Sequence, residues 1–338
     1  MSNKVLVTGA AGFIGSALIG KLLKNGHTVV GIDCINSYYD TRLKYARLEV
    51  AGISQELIKE NTAVTSSIHP NYRFIKLDLT DRIHMDALFG KEKFDIVVNL
   101  AAQAGVRYSI ENPYAYVESN VLGFLNVLEN CRNHGIKHLL YASSSSVYGM
   151  NNKVPYAETD MTDSPVSMYA ATKKSNELMA HAYSKLFAIP ATGLRFFTVY
   201  GPWGRPDMAP FLFMKAILKG EPIKVFNHGN LSRDFTYIDD ITEGVMRLVA
   251  CPPTDAVPHR VYNIGNSAPV QLMDFIGVIE KVTGRKAIKH MMEMQPGDVY
   301  CTYADVSRLK NDFGYAPSVS IEEGISQFYE WYKKFYHV

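Results

Sequence analysis

The chain has 338 residues, enough for one large domain or two closely joined ones, and its 47% hydrophobic content can fill a sizeable core. Charged residues make up 20%, the formal net charge is +2 and no block of like charges occurs, so a nucleic-acid or other polyanion partner is not predicted. No apolar run approaches the length of a membrane span, and Lys4-Val5-Leu6-Val7 begins without a leader-like pattern, so no membrane association is predicted either.

Lys4-Val5-Leu6-Val7-Thr8 reads as a buried parallel strand. Gly9-Ala10-Ala11-Gly12-Phe13-Ile14-Gly15 follows, opening an apolar helix pattern that stops at Asn25-Gly26. Glycines at a strand-to-helix turn let the backbone approach a pyrophosphate held by the helix N-terminus. The spacing is Gly-x-x-Gly-x-x-Gly, with Phe13 and Ile14 inside it, rather than Gly-x-Gly-x-x-Gly. The next strand, Thr28–Asp33, ends in an acid at the distance where a carboxylate accepts ribose hydroxyls. Asp33 would repel a 2′-phosphate and Cys34-Ile35-Asn36 offers no arginine, so NAD is predicted over NADP.

A polar segment from Tyr38 to Asn71, with a helical piece at Arg42–Val50, is longer than a simple connection and is expected at the surface near the cofactor. Strands at Tyr72–Lys76 and Phe94–Asn99 then lead to Asp78-Leu79 and Ala101-Ala102. Asp78 is a candidate for the adenine edge, and the two small alanines would allow close backbone approach. A helix is expected from about Pro113 to Cys131, marked by Asn112-Pro113, and a strand at His138–Ser143. This alternation predicts an α/β fold with a doubly wound, Rossmann-type parallel sheet, its ligand beyond the carboxyl ends of the strands.

That last strand empties into Ser143-Ser144-Ser145-Ser146-Val147-Tyr148-Gly149, and Ser167–Leu178 then reads as a helix. Within it Tyr169 and Lys173 stand four residues apart, on one helical face. Alone, such a pair is ordinary surface chemistry. Beside a dinucleotide cradle and a serine loop it becomes a candidate proton-transfer device. After about Arg195 the strict alternation fades, and Ile321–Tyr336 closes the chain as an aromatic-rich amphipathic helix. The four cysteines (Cys34, Cys131, Cys251, Cys301) show no metal or redox spacing, which predicts a reduced, cytoplasmic protein. His134 and His138 flank Gly135 and read as two surface histidines; no metal is predicted.

The glycine turn, Ser-Ser-Val-Tyr-Gly and Tyr169-Ala-Ala-Thr-Lys173 together resemble the extended short-chain dehydrogenase/reductase superfamily. Arg195-Phe-Phe-Thr-Val-Tyr-Gly-Pro202 and Arg233-Asp-Phe-Thr-Tyr-Ile-Asp-Asp240 resemble its nucleotide-sugar branch. Ala102-Gln-Ala-Gly-Val-Arg-Tyr-Ser109 and Gly204-Arg-Pro-Asp-Met-Ala-Pro210 are most similar to bacterial UDP-glucuronate 4-epimerases. The resemblance covers nearly the whole chain. It implies NAD as cofactor, contacted by Gly9, Gly12, Phe13, Ile14, Gly15, Asp33, Asp78, Leu79, Ala101, Ala102, Tyr169 and Lys173.

It also implies Tyr169 as the base for a sugar 4-hydroxyl, with Lys173 and the nicotinamide charge lowering its pKa. Moving a phenol from about 10 to about 7 takes roughly 4 kcal/mol of differential stabilisation. Ser144 matches the family's hydroxyl donor to the reacting oxygen. Ser145, Ser146, Thr198, Arg205 and Arg107 are candidates for a sugar carboxylate; Phe226, Arg233 and Asp298 (in Gln295-Pro296-Gly297-Asp298) match uracil, diphosphate and ribose contacts. Related decarboxylases carry Glu at Ser146, 4,6-dehydratases Asp-Glu at Ser145-Ser146, and UDP-glucose/galactose epimerases Asn at Thr198, so a uronate epimerase is favoured. The alternatives are an epimerase of UDP-N-acetylhexosamines or their uronic acids, or an NAD-binding regulator without catalysis. The family further implies a smaller C-terminal α/β lobe for the UDP-sugar, residues 201–231 and 266–338. Residues 1–200 would form the NAD-binding domain, to which about 232–265 returns. The helices at Pro113–Cys131 and Ser167–Phe187 resemble those that pair across a homodimer.

Overall fold

The computed structural model describes residues 2–295 and 297–338. Its centre is an eight-stranded sheet in the order β11-β7-β6-β5-β1-β2-β4-β3. These strands are β1 (Lys4–Thr8), β2 (Thr28–Asp33), β3 (Ala63–Thr65), β4 (Tyr72–Lys76), β5 (Ile96–Asn99), β6 (His138–Ser144), β7 (Ala191–Phe196) and, after β8–β10, β11 (His259–Ile264). All neighbours run parallel except the short edge strand β3, which is antiparallel to β4. In β1 alternate residues supply opposite faces: Val5 and Val7 enter one buried cluster, Leu6 the other. Helices Phe13–Lys24 and Ile238–Val249 pack together on the first face, and Arg82–Glu92, Gly123–Asn133 and Met168–Phe187 cover the second. Both faces being covered explains the nearly unbroken apolar runs of the central strands.

Strand β1 pairs with β2 on one side and β5 on the other, Val5 lying opposite both Val29 and Ile96. The chain thus leaves β1 in opposite directions across the sheet, and the crevice beyond its carboxyl end is the expected ligand position. Gly9 shapes that end. It adopts φ +71, and a β-carbon there would meet the Ala101 nitrogen at 2.8 Å. Only glycine supplies both the left-handed backbone and the close approach to the turn after β5.

A third apolar cluster lies in the C-terminal part, around Phe211, Phe275, Ile276, Phe328 and Tyr332. It supports a three-stranded sheet of β8 (Thr198–Tyr200), β10 (Ser232–Tyr237) and β12 (Pro269–Gln271), and the pair β9 (Pro222–Val225) and β13 (Ile288–Met291). Of residues 232–265, for which a return to the NAD-binding domain is expected, not all add a strand to the large sheet. Only β11 joins that sheet; Ser232–Tyr237 pairs with β8 and β12, while the helix after it packs against Phe13–Lys24.

Two further expectations change in detail. The helical run beginning at Pro113 extends to Asn133 and contains a π-helical turn at Val117–Leu122. His138 is buried at 1% exposure, not on the surface. Its Nδ1 faces the Val249 carbonyl at 3.2 Å and its Nε2 the Thr192 hydroxyl at 2.9 Å. Burial lowers its pKa to about 4, so it is neutral at pH 7. His134 is exposed, as expected.

Candidate active site

One cleft runs along the carboxyl ends of β1, β2, β5 and β6. Gly9, Gly12, Phe13, Ile14, Gly15, Asp33, Asp78, Leu79, Ala101 and Ala102 line one end of the series. Ser144, Ser145, Ser146, Tyr169, Lys173, Thr198 and Arg205 line the cleft as well, as do Arg233 and Asp298. The cleft thus collects residues that lie up to 293 positions apart in the chain, from Gly9 to Thr302. Its polar groups fit a dinucleotide. The Gly9 turn presents backbone to the cleft, Gly12 caps helix Phe13–Lys24, and Asp33 lies at the end of β2. Asp33 is anchored by the Ala11 N–H to Oδ2 at 3.1 Å and the Ile35 N–H to Oδ1 at 2.8 Å, leaving further acceptor positions for ribose hydroxyls.

The catalytic candidates converge from two elements. Ser167 caps the helix Met168–Phe187, its hydroxyl accepting from the Ala170 N–H at 3.1 Å, which fixes where Tyr169 and Lys173 start. Lys173 is buried and donates to the Ala142 carbonyl of β6 at 2.9 Å. Burial lowers its pKa to about 8. Burial raises that of Tyr169, opposed by the Ser144 hydroxyl and then by the charge of Arg205. The sequence reading assigned that opposing pull to Lys173 and the nicotinamide charge. Here the ammonium is turned to Ala142 and stands 6.0 Å from the Tyr169 ring centre, and Ser144 and Arg205 add to its pull.

Four residues on, Glu177 continues the same helical face into the sheet. It accepts from Arg195 Nε at 2.8 Å and Nη2 at 2.9 Å, and from the Ser143 hydroxyl at 2.6 Å. Both members of the ion pair are 5% exposed. The π-helical turn carries Asn120, whose side chain accepts from the Gln103 N–H at 2.8 Å and donates to the Gln103 carbonyl and Thr172 hydroxyl. It ties the turn after β5 to the catalytic helix. Tyr116 holds the same turn through the Gly105 carbonyl and sets its ring edge-on to Tyr169, centres 6.1 Å apart.

The carboxylate candidates divide. Ser145 and Thr198 line the cleft. Ser146 also lines it, but its hydroxyl and N–H both donate to Ser144 Oγ, at 3.0 and 3.2 Å. Arg205 directs Nε and Nη2 at Asp207, which lowers the pKa of that carboxyl despite its burial and also receives the Tyr38 hydroxyl at 3.0 Å. Arg107 belongs elsewhere: its guanidinium lies 5.0 Å from the centre of the Phe226 ring and 3.7 Å from Asp298. Arg233 reaches Asp298 at 3.4 Å. Phe226 follows β9 rather than lying within it, so the structure brings Arg107, Phe226, Arg233 and Asp298 into one group at the far end. Pro296 of the 295–298 loop lies outside the described residues.

Sequence reasoning missed Tyr38, Lys44, Arg47, Asn120, Glu177 and Asp207. Glu177 and Asp207 had local signals, a four-residue spacing from Lys173 and a two-residue spacing from Arg205. The others act across the fold. Arg47, for example, donates to the Ala11 carbonyl at 2.9 Å, the Tyr39 hydroxyl at 2.8 Å and the Trp203 carbonyl at 2.7 Å. Among the described residues, no cluster of three metal-ligating side chains occurs and no helix is long and apolar enough to cross a membrane.

The NAD dependent epimerase/dehydratase family matches residues 5–265. Protein CapI of Staphylococcus aureus is 50% identical over 347 residues, covering 98% of this chain and 99% of that protein. UDP-glucuronate 4-epimerase 2 of Arabidopsis thaliana is 44% identical over 346 residues, 98% of this chain and 76% of its own. Among solved structures, UDP-glucuronic acid 4-epimerase from Bacillus cereus, in complex with UDP-glucuronic acid and NAD, superposes with a TM-score of 0.87. It shares 35% identity, over 98% of this chain and 100% of that one.

Proposed function

We propose, for a chain that belongs to the NAD dependent epimerase/dehydratase family, that it interconverts UDP-glucuronate and UDP-galacturonate by inversion at C4. The observation carrying this reading is the convergence of Tyr169, Lys173 and Ser144 on a cleft shared by the glycine turn and the Arg233–Asp298 pair. Bound at Gly9–Gly15 and Asp33, NAD supplies a reversible hydride acceptor for C4. The chain's residues manage the proton and the orientation.

Tyr169 takes the proton of the 4-hydroxyl and returns it after the sugar has turned its other face. Ser144 receives two bonds from Ser146, so its own hydroxyl proton is directed away from Ser146 and toward the reacting oxygen. Lys173, held on Ala142, places a positive charge beside the phenol, and Arg205 adds a second. Together with a bound cofactor's charge they favour the phenolate that burial disfavours. The 4-keto sugar is a β-keto acid and loses CO₂ when its C5–carboxylate bond stands perpendicular to the carbonyl plane. Ser145, Thr198 and the remaining edge of Arg205 hold the carboxylate out of that alignment. Ser146 contributes through Ser144.

At the other end Arg233 binds diphosphate, Asp298 accepts uridine ribose hydroxyls, and Phe226 packs on uracil with Arg107 over its opposite face. Residues 201–231 and 266–338 form the nucleotide-sugar lobe in this reading, and the protein works in the cytoplasm. Apolar side chains stand exposed on the helices facing away from the sheet, including Tyr114 at 78%, Leu178 at 59% and Leu186 at 70%. They support a homodimer through the 113–133 and 168–187 helices, which sedimentation at micromolar concentration would show. Incubating the protein with UDP-glucuronate and following products by NMR tests the main reading. UDP-galacturonate is expected; its absence above background overturns the assignment, and UDP-pentose with CO₂ would identify a decarboxylase.

A further inference from the structure

One buried cation in the cleft has no part in the chemistry above. Lys44 lies on the helix Arg42–Val50, and its side chain is only 7% exposed. Its Nζ donates to Asn36 Oδ1 at 2.9 Å, stands 3.9 Å from Asp33 Oδ1 and lies 5.1 Å from the Tyr39 ring centre. Lys44, Asp33, Asn36 and Asp78 all line the same corner of the cleft. An ammonium carries three N–H donors, and Asn36 takes one of them. At the end of the second strand of a dinucleotide cradle, an acid accepts ribose hydroxyls, whereas a nearby cation accommodates a 2′-phosphate. This corner contains both groups within contact distance of each other.

We propose that Lys44 is a second cofactor-specificity residue, placed to pair with a 2′-phosphate and restrained from doing so by Asp33. The inference rests on the reading that the cleft takes a nicotinamide dinucleotide. With Asp33 ionised, the ammonium is compensated and the acid keeps its acceptor positions for the 2′- and 3′-hydroxyls. A dianionic phosphate would have to displace that arrangement beside a fixed negative charge. Replacing Asp33 by a small neutral residue removes the repulsion and leaves a buried ammonium without its counter-charge, which the 2′-phosphate then supplies. Lys44 lies on the helix Arg42–Val50 and Asp33 at the end of β2, so the two specificity groups can be removed separately. Asp33 is also anchored by two backbone N–H groups, so its position does not depend on Lys44.

Calorimetric titration of cofactor-stripped protein with NAD and NADP tests this as a double-mutant cycle. Wild type should prefer NAD. Asp33→Ser should tighten NADP binding by about tenfold or more, and adding Lys44→Met to it should remove that gain while changing NAD affinity by less than about threefold. Equal NADP affinity in Asp33→Ser and in the double variant overturns the proposal, as does an equal loss for both cofactors. Should that double variant fail to fold, Asp33→Ser with Lys44→Gln decides. It should return NADP affinity to within about threefold of wild type, and retention of the Asp33→Ser gain overturns the inference. Failure of wild type to bind either dinucleotide would instead sink the cofactor reading of the cleft.

Discussion

The two ends of strand β6 solve opposite problems within seven residues. At the amino end, His138 is buried and neutral, and both ring nitrogens have protein partners, Val249 and Thr192. At the carboxyl end, Ser143 is locked to a compensated ion pair, but the next layer is left poised. Lys173 gives a bond to Ala142 while burial depresses its pKa, and Tyr169 is partly buried with its pKa raised. One end minimises the cost of burying polar groups. The other accepts that cost in two titratable groups whose charged forms a cofactor and substrate would stabilise. The comparison separates a residue that keeps the sheet together from residues kept ready for chemistry, although His138 and Lys173 are equally buried.

The largest effect should come from the poised end. Tyr169→Phe removes the proton acceptor without changing the ring, and turnover of UDP-glucuronate should fall by about a thousandfold or more. Binding of NAD and UDP-glucuronate, measured by calorimetry, should stay within a few-fold. Near-normal turnover would take Tyr169 out of its role and erase the distinction between the two ends.

Beneath it, Glu177→Gln should strike stability. The change leaves Arg195 buried and uncompensated, and removing one partner of such a pair costs about 3 kcal/mol or more. Urea unfolding reads this directly. A loss below about 1 kcal/mol would mean that the ion pair is already relieved by solvent, and that the carboxyl end of β6 is as tolerant as a surface site.

A smaller effect belongs to Lys173. With its pKa lowered to about 8, its ammonium is present below that pH and lost as pH rises through it. The kcat/KM profile, which reports the free enzyme, should therefore bend downward on its alkaline side near pH 8, by about tenfold one unit beyond the bend. A profile flat from pH 7 to 9.5 would show that the charge on Lys173 is not needed.

Much of this contrast was written locally. β-Branched runs placed β1 and β2 at their observed bounds, and helix periodicity placed Arg42–Val50 and Ile321–Tyr336. The glycine turn, Asp33, Ser144, Tyr169 and Lys173 were visible because each sits at a strand end or on one helical turn. Residues whose partners are distant were not. Arg47 finds Trp203 across 156 positions, Tyr38 finds Asp207 across 169, and Arg107 turns to Phe226 and Asp298 instead of the serine loop. Periodicity reports which face of an element is buried, not which polar group from another element meets it there. His138 shows the limit most plainly: a histidine beginning a strand after a glycine reads as solvent-facing, until β7 and Val249 are folded against it.

That residue supplies the finest test of the comparison. The pKa of His138 is lowered to about 4 in the folded protein, whereas an unfolded histidine titrates near 6.5. Between those values the unfolded chain holds a proton that the folded protein does not, so stability falls as pH decreases through about 6.5 and levels off below about 4. From pH 7 to pH 6 this amounts to roughly 0.7 kcal/mol for the one residue. His259, also lowered to about 4 chiefly by burial, adds a contribution of the same sign. His138→Gln keeps a donor and an acceptor for Val249 and Thr192 but cannot titrate. Urea unfolding at both pH values should give the variant a stability loss smaller than that of wild type by roughly 0.7 kcal/mol, whatever its stability at pH 7. An identical loss in both proteins would mean that protonated His138 is tolerated in place, and that the amino end of β6 is no more closed than the catalytic end.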